Sequence, residues 1–192
     1  MTLNFNDAGP QRSFEVIPDN TVATLHLNLR SGGAGPDGWL KRSKDGNSEA
    51  LDCELTVVDG QYAKRKFWTL LTIAGTTRGH AQAAEISRAR IRAILESARG
   101  IRPDDKSEPA EKARQIETYR DLDGLRFIGR IGVEPPKNGF KAKNTLIEVI
   151  TPERKEWQTV EQVAKPASDS TQTSEAQPAA TPAKIEKPKW AR

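Results

Sequence analysis

The chain has 192 residues, a formal net charge of +4 at pH 7, 6% aromatic residues and one cysteine. That length suits one domain with appendages or two small ones, the low aromatic content limits the core, and a single cysteine excludes an internal disulfide framework. With no N-terminal apolar run and no stretch long enough to cross a bilayer, a cytoplasmic protein without a membrane partner is expected, and the mildly basic balance permits nucleic-acid binding without demanding it.

Residues 1–12 are polar and read as an irregular lead-in, followed by a short extended segment, Ser13-Phe14-Glu15-Val16-Ile17-Pro18, stopped by its proline and by Asp19-Asn20. Residues 21–30 alternate Leu25, Leu27 and Leu29 against Thr24, His26, Asn28 and Arg30, the period of two that marks a strand with one buried face. His26 falls in the polar set and has no neighbouring ligand residue, so it reads as a solvated strand position and not a metal ligand. The glycine-rich run 31–38 lacks the Gly-Lys-Ser/Thr ending of a phosphate loop and no helical pattern follows it, so it reads as a flexible connection. Trp39 then stands beside Lys41, Arg42 and Lys44, ahead of the turn Asp45-Gly46-Asn47.

The most informative stretch runs from Leu51 to Ile73. Leu51, Cys53, Leu55 and Val57 alternate with Asp52, Glu54 and Thr56, Asp59-Gly60 marks a reversal, and a second strand carries Phe67, Leu71 and Ile73 on one face and Trp68, Leu70 and Thr72 on the other. Neither face of this second strand is plainly polar, so a helix, a partner or a ligand is expected to cover the face opposite the core. Cys53 lies on the apolar face and reads as a small buried side chain. Between the strands Lys64, Arg65 and Lys66 sit between Tyr62 and Trp68. Cations neutralise phosphates and ring faces stack on bases of any sequence, so two basic-aromatic clusters point toward a nucleic acid more than either does alone. The competing reading is a pair of solvated turns beside ordinary core aromatics.

Residues 81–99 have helical composition, an apolar stripe at Ile91, Ile94, Leu95 and Ala98, and Gly100 as the stop. Arg88, Arg92 and Arg99 line another side; Arg88 and Arg92 are candidates for phosphate contact, and are equally placed to pair with Glu85 and Glu96 one turn away. A second helix is expected at 110–119 behind Pro109, then a bent strand at 126–134 with Gly129 and Gly132, a hairpin loop at 135–139 and a last strand at 144–150. From Thr151 on, the composition cannot bury enough apolar surface to offset its ordering entropy, and with seven cations against six anions it is not an acidic tail.

The expected fold is α+β, mostly β: a small OB-like β-barrel at 1–152 with an inserted helix, and a disordered C-terminal tail at 153–192. Two histidines without a supporting cluster, and carboxylates that solvation explains, give no catalytic set, no metal site and no cofactor motif, so a non-enzymatic protein is expected.

Several segments together carry a resemblance: Leu3-Asn4-Phe5-Asn6, residues 13–18, Glu54-Leu55-Thr56-Val57 leading through Gly60, Tyr62, Arg65, Phe67 and Trp68, the helix from Ser87-Arg88 to Gly100, and residues 144–152. Over roughly residues 1–152 the chain resembles a family of phage and prophage proteins long labelled only as a domain of unknown function, whose members are similar to phage single-stranded-DNA-binding proteins. The Gly-x-Tyr-x-x-Arg-x-Phe-Trp segment is the most specific part of the likeness. The resemblance implies an accessory of phage DNA replication or recombination that binds single-stranded DNA in a bacterial host cell, with a phage recombinase or replication protein as a further partner. The alternative is an adaptor for a recombinase or polymerase that binds no DNA itself. The tail departs from the acidic, aromatic-ended tails by which many single-strand binders recruit partner enzymes.

Overall fold

The computed structural model describes residues 4, 6–9, 15–137 and 139–157. Most of the expected lead-in, Ser13 and Phe14, Asn138 and the expected disordered tail beyond Trp157 lie outside the described residues. Among the described residues six strands form one antiparallel sheet: β1 (Thr21–Arg30), β2 (Leu40–Arg42), β3 (Ser48–Val57), β4 (Lys66–Gly75), β5 (Arg126–Glu134) and β6 (Lys143–Ile150). The helix α1 (Arg78–Arg99) and the short α2 (Glu108–Lys112) separate β4 from β5. The mostly β class and the inserted helix are therefore as the alternation and the alanine-arginine segment imply.

The register explains the layout. β3 pairs along its whole length with β4, from Ser48↔Gly75 to Thr56↔Lys66. Its other edge is shared: β1 occupies it through Arg30↔Asp52, and β2 takes over from Leu40↔Leu51. Strand β1 also pairs with β5, and β5 with β6. The glycine run, expected as a flexible connection, is instead a closed detour that lets the chain rejoin the same edge. Gly33 N–H donates to Gly38 C=O at 2.9 Å, and Ala34 and Leu40 exchange backbone hydrogen bonds at 2.8 and 3.0 Å. Gly32 is obligatory here, because a Cβ would lie 2.4 Å from the Leu40 carbonyl oxygen.

One core fills the concave side: Leu25, Leu27, Leu51, Leu55, Phe67, Leu71, Phe127 and Ile131, closed by Ile94 and Leu95 of α1. Burying each such side chain contributes about 1.5–3 kcal/mol, which selects the register that keeps them inside. Gly129 leaves room for this packing, since a Cβ there would meet Leu25 Cδ1 at 2.6 Å and Leu146 Cδ1 at 2.9 Å. Helix α1 lies against β4, β5 and β6, and β4 approaches β6. Among the described residues no ladder joins those two strands, so the sheet curls without closing.

Helix α1 begins at Thr77, whose hydroxyl accepts the His80 N–H, and ends at Gly100 with φ +66°. Its expected apolar stripe is in place, with Ile94 and Leu95 buried and Ile91 and Ala98 partly so. The second helix stops at Lys112, short of the expected span 110–119. After Lys112 the backbone tightens to i−3 bonds, Arg114 N–H to Glu111 C=O and Gln115 N–H to Lys112 C=O, and the Glu117 and Thr118 N–H groups donate to Asp121 Oδ2 where a longer helix would need them for its own ladder, while Arg99 of α1 holds the Ala113 and Gln115 carbonyls. Residues 153–157 continue to pack on the domain past the expected boundary at 152. Arg130 binds Glu156 at 3.2 Å, Arg154 binds Glu148 at 3.0 Å, and the Trp157 indole donates to the Ser97 carbonyl at 3.2 Å. Among the described residues no helix is long and apolar enough to cross a membrane.

Candidate nucleic-acid interface

The convex face of β1, β2, β3 and β4 carries the polar half of the alternation. Directly paired residues share a face, so the register sets four cross-strand rows there: His26–Thr56–Lys66, Asn28–Glu54–Trp68, Arg30–Asp52–Leu70 and Lys41–Ala50–Thr72. Trp68 is 52% exposed and Leu70 56% exposed, whereas Phe67 and Leu71 on the opposite side of the same strand are buried. Neither α1 nor the core covers Trp68. An exposed Trp and Leu at successive outward positions form the apolar strip that a half-buried strand ordinarily avoids.

Around that strip the charges are layered. Asp52 is buried to 9% exposure beneath Lys41 Nζ at 3.0 Å and Arg30 at 3.9 Å. The Glu54 carboxylate, largely shielded, meets Lys66 Nζ at 2.6 Å. The cations are the outer layer, with half or more of each side chain exposed for Arg30, Lys41 and Lys66. An approaching phosphate meets ammonium and guanidinium groups before it meets the acids that hold them in place.

The sequence candidates divide accordingly. Lys41, Lys66 and Trp68 come together on this face. Arg42 pairs with Glu49 at 2.7 Å at the end of β2, and Lys44 is in the following turn. That turn is built on Asp45, whose carboxyl is held down at about 2 by hydrogen bonds from Ser43 and Asn47. Lys64 is exposed in the β3–β4 turn at φ +67°, and Arg65 donates to the Glu15 carbonyl. Trp39 and Tyr62 are half-buried and pack against the core, so their rings serve stability first. Arg88 and Arg92 make the ion pairs their spacing allows, with Glu85 at 3.3 Å and Glu96 at 2.9 Å. Arg92 also donates to the Pro103 carbonyl, which commits it to the connection after α1 and away from the strand rows.

Arg30, Asn28, Leu70 and the two acids join the face without standing out in the sequence. Alternation alone puts Arg30 and Asn28 in the polar set, but their register against Asp52 and Glu54 is a long-range property. Cys53, on the reverse of β3, is buried, and its thiol is pushed up to about 12, first by burial and then by the Asp52 charge. Among the described residues no group of three His, Cys, Asp or Glu side chains is placed to hold a metal ion. A scan of protein-family models matched none to this chain, and a search of curated proteins found no relative.

Proposed function

We propose that this chain is a non-enzymatic single-stranded-DNA-binding protein that uses the convex face of β1–β4, as an accessory of phage or prophage replication or recombination. The observation that carries the reading is the exposed Trp68–Leu70 strip framed by the outer cations Arg30, Lys41 and Lys66. A ring face stacks on a base of any sequence while the cations track the backbone, which is the chemistry of a single-strand groove. Further support comes from connectivity. A strand pairing with both the next long strand and the penultimate one, with a helix inserted before the final pair, matches a partly open five-stranded barrel of OB type when β1 and β2 count as one interrupted strand. The resemblance to phage single-strand binders agrees with this reading. Fluorescence anisotropy with labelled oligo-dT and with duplex of equal length tests it: saturable binding that favours oligo-dT is expected, and no binding to either overturns it.

One observation favours an adaptor role instead. Asp52, Glu54 and Glu49 already neutralise much of the positive charge, and an apolar strip with paired charges also fits a protein partner such as a recombinase. The same titration separates the two readings.

A further inference from the structure

A cavity of about 610 Å³ opens where the end of α1 meets β1 and β5. Its lining joins Thr24 and Ile128, paired across the β1–β5 ladder, to Asp59, Arg126, the last turn of α1 and Trp157. That volume falls within the roughly 300–1,000 Å³ of small-molecule pockets, enough for one nucleoside. The walls are fixed through one residue: Ser97 Oγ accepts the Ile128 N–H at 3.0 Å, and the Ser97 carbonyl accepts the Trp157 indole N–H at 3.2 Å. The cavity also adjoins the convex face, because Arg126 pairs with His26 and so continues the row His26–Thr56–Lys66 onto β5.

Its chemistry is that of an acceptor site with one available cation. Among the described residues neither Asp59 nor Arg126 has an ion-pair partner, and both are exposed. Arg99, the other cation of the lining, is taken up by the Ala113 and Gln115 carbonyls. The Asp59 carboxylate has two acceptor oxygens and no donor, and the helix beside it ends in carbonyls. A flat group with two donors on one edge, joined to an anion, answers the indole, the carboxylate and the arginine together.

We propose that this cavity receives one guanine of the bound single strand, with Trp157 against its ring, Asp59 accepting from its N1–H and its N2 amino group, and Arg126 on the adjoining phosphate. The proposal rests on the single-strand reading of the convex face and adds a base preference that stacking alone lacks. Guanine presents two donors side by side on its Watson–Crick edge, whereas thymine has one N–H there and adenine and cytosine one amino group each.

The full chain, Asp59→Asn and Arg126→Ala are titrated by fluorescence anisotropy with labelled oligo-dT and with the same oligonucleotide carrying a single dG, dA or dC in place of a central dT, beside thermal melts. The parent chain is expected to bind the dG oligonucleotide about tenfold more tightly than the other three, the discrimination of one good two-bond base contact. Asp59→Asn is expected to bind it no more tightly than oligo-dT, and Arg126→Ala to flatten its log–log salt slope by about 0.7 for the phosphate no longer neutralised. Both variants should melt like the parent, since neither side chain is tied to the described fold. Equal affinity of the parent for all four oligonucleotides, or a dG preference that survives Asp59→Asn in full, overturns the cavity proposal and leaves the strand-face reading standing. A preference of equal size for dA reports purine stacking and also overturns it. If the parent binds none of the four, both readings fall.

Discussion

Trp68 stands directly across the β3–β4 ladder from Glu54, and the carboxylate of Glu54 is occupied by Lys66 Nζ at 2.6 Å. The indole is thus bordered by an acid whose charge is already answered and by a cation that remains half exposed. That arrangement leaves the ring face open while keeping the surroundings compatible with a phosphate backbone.

Replacing Trp68 with Ala is expected to weaken single-strand binding by about 1–3 kcal/mol, the range for loss of one base-stacking ring. Because the side chain is half exposed, the melting temperature should barely change. Melts and oligo-dT titrations run side by side check both halves. A destabilised variant whose folded fraction binds normally would return Trp68 to a structural role.

Asp52→Asn should tighten oligo-dT binding by about 1 kcal/mol, because it frees Lys41 and Arg30 and removes a negative charge beneath them. The stability cost should be small, as pairs with exposed cations contribute only about 0–1 kcal/mol each. Unchanged or weaker binding at constant stability means that the acids do not restrain this face.

Glu96 is 3% exposed and bridges Arg92 at 2.9 Å and Arg114 at 2.7 Å, pinning the segment after α1. Glu96→Ala leaves the mostly buried Arg114 without its carboxylate, and a loss of about 3 kcal/mol in urea unfolding is expected. Binding by the folded fraction should survive, since this clasp holds the connection after α1 and not the strand rows. A loss below about 1 kcal/mol would show that water replaces the carboxylate cheaply.

The Cys53 thiol has its folded pKa raised above its ordinary value of 9.0 to about 12. A raised pKa means that its contribution to stability is complete below about pH 9 and fades as pH rises toward 12, when the unfolded chain gains more by ionising. At about pH 8, below both values, the native protein should therefore resist a disulfide-exchange thiol reagent and react promptly once denatured. Fast native labelling would show that β3 opens readily.

A chain ending at Trp157 should melt like the full chain, whereas one ending at Thr151 loses the Arg130–Glu156 pair and the indole hydrogen bond to Ser97. A drop of about 2 kcal/mol is expected for the shorter chain. Equal melting of both would place the edge of the domain at 152 after all.

Local patterns were legible where one periodicity dominated. The alternation of Leu25, Leu27 and Leu29, and of Leu51, Cys53 and Leu55, sufficed for β1 and β3, and Gly100 marked the end of α1. The face of Trp68 was legible too, but its exposure was not, because Leu70 beside it suits a covered face equally well. What escaped depends on partners far apart in sequence. Asp52 reads as an ordinary solvent-facing acid until the register brings Lys41 and Arg30 over it, and the closed glycine detour exists only because β2 rejoins the edge of β3. The shortened second helix has a related origin, in the Glu117 and Thr118 N–H groups that Asp121 takes and in the hold of Arg99, from another helix, on the Ala113 and Gln115 carbonyls.

The most direct test of single-strand binding on the convex face is a proton–nitrogen correlation spectrum of the labelled chain during titration with oligo-dT, with the Trp68 indole resonance assigned through Trp68→Phe. This indole resonance and the backbone amides of Lys41, Glu54, Lys66 and Leu70 are expected to shift together and saturate, while the amides of the α1 stripe at Ile94 and Leu95 stay in place. Saturable shifts confined to α1, or a Trp68 indole that does not move while the DNA is bound, would contradict binding on that face.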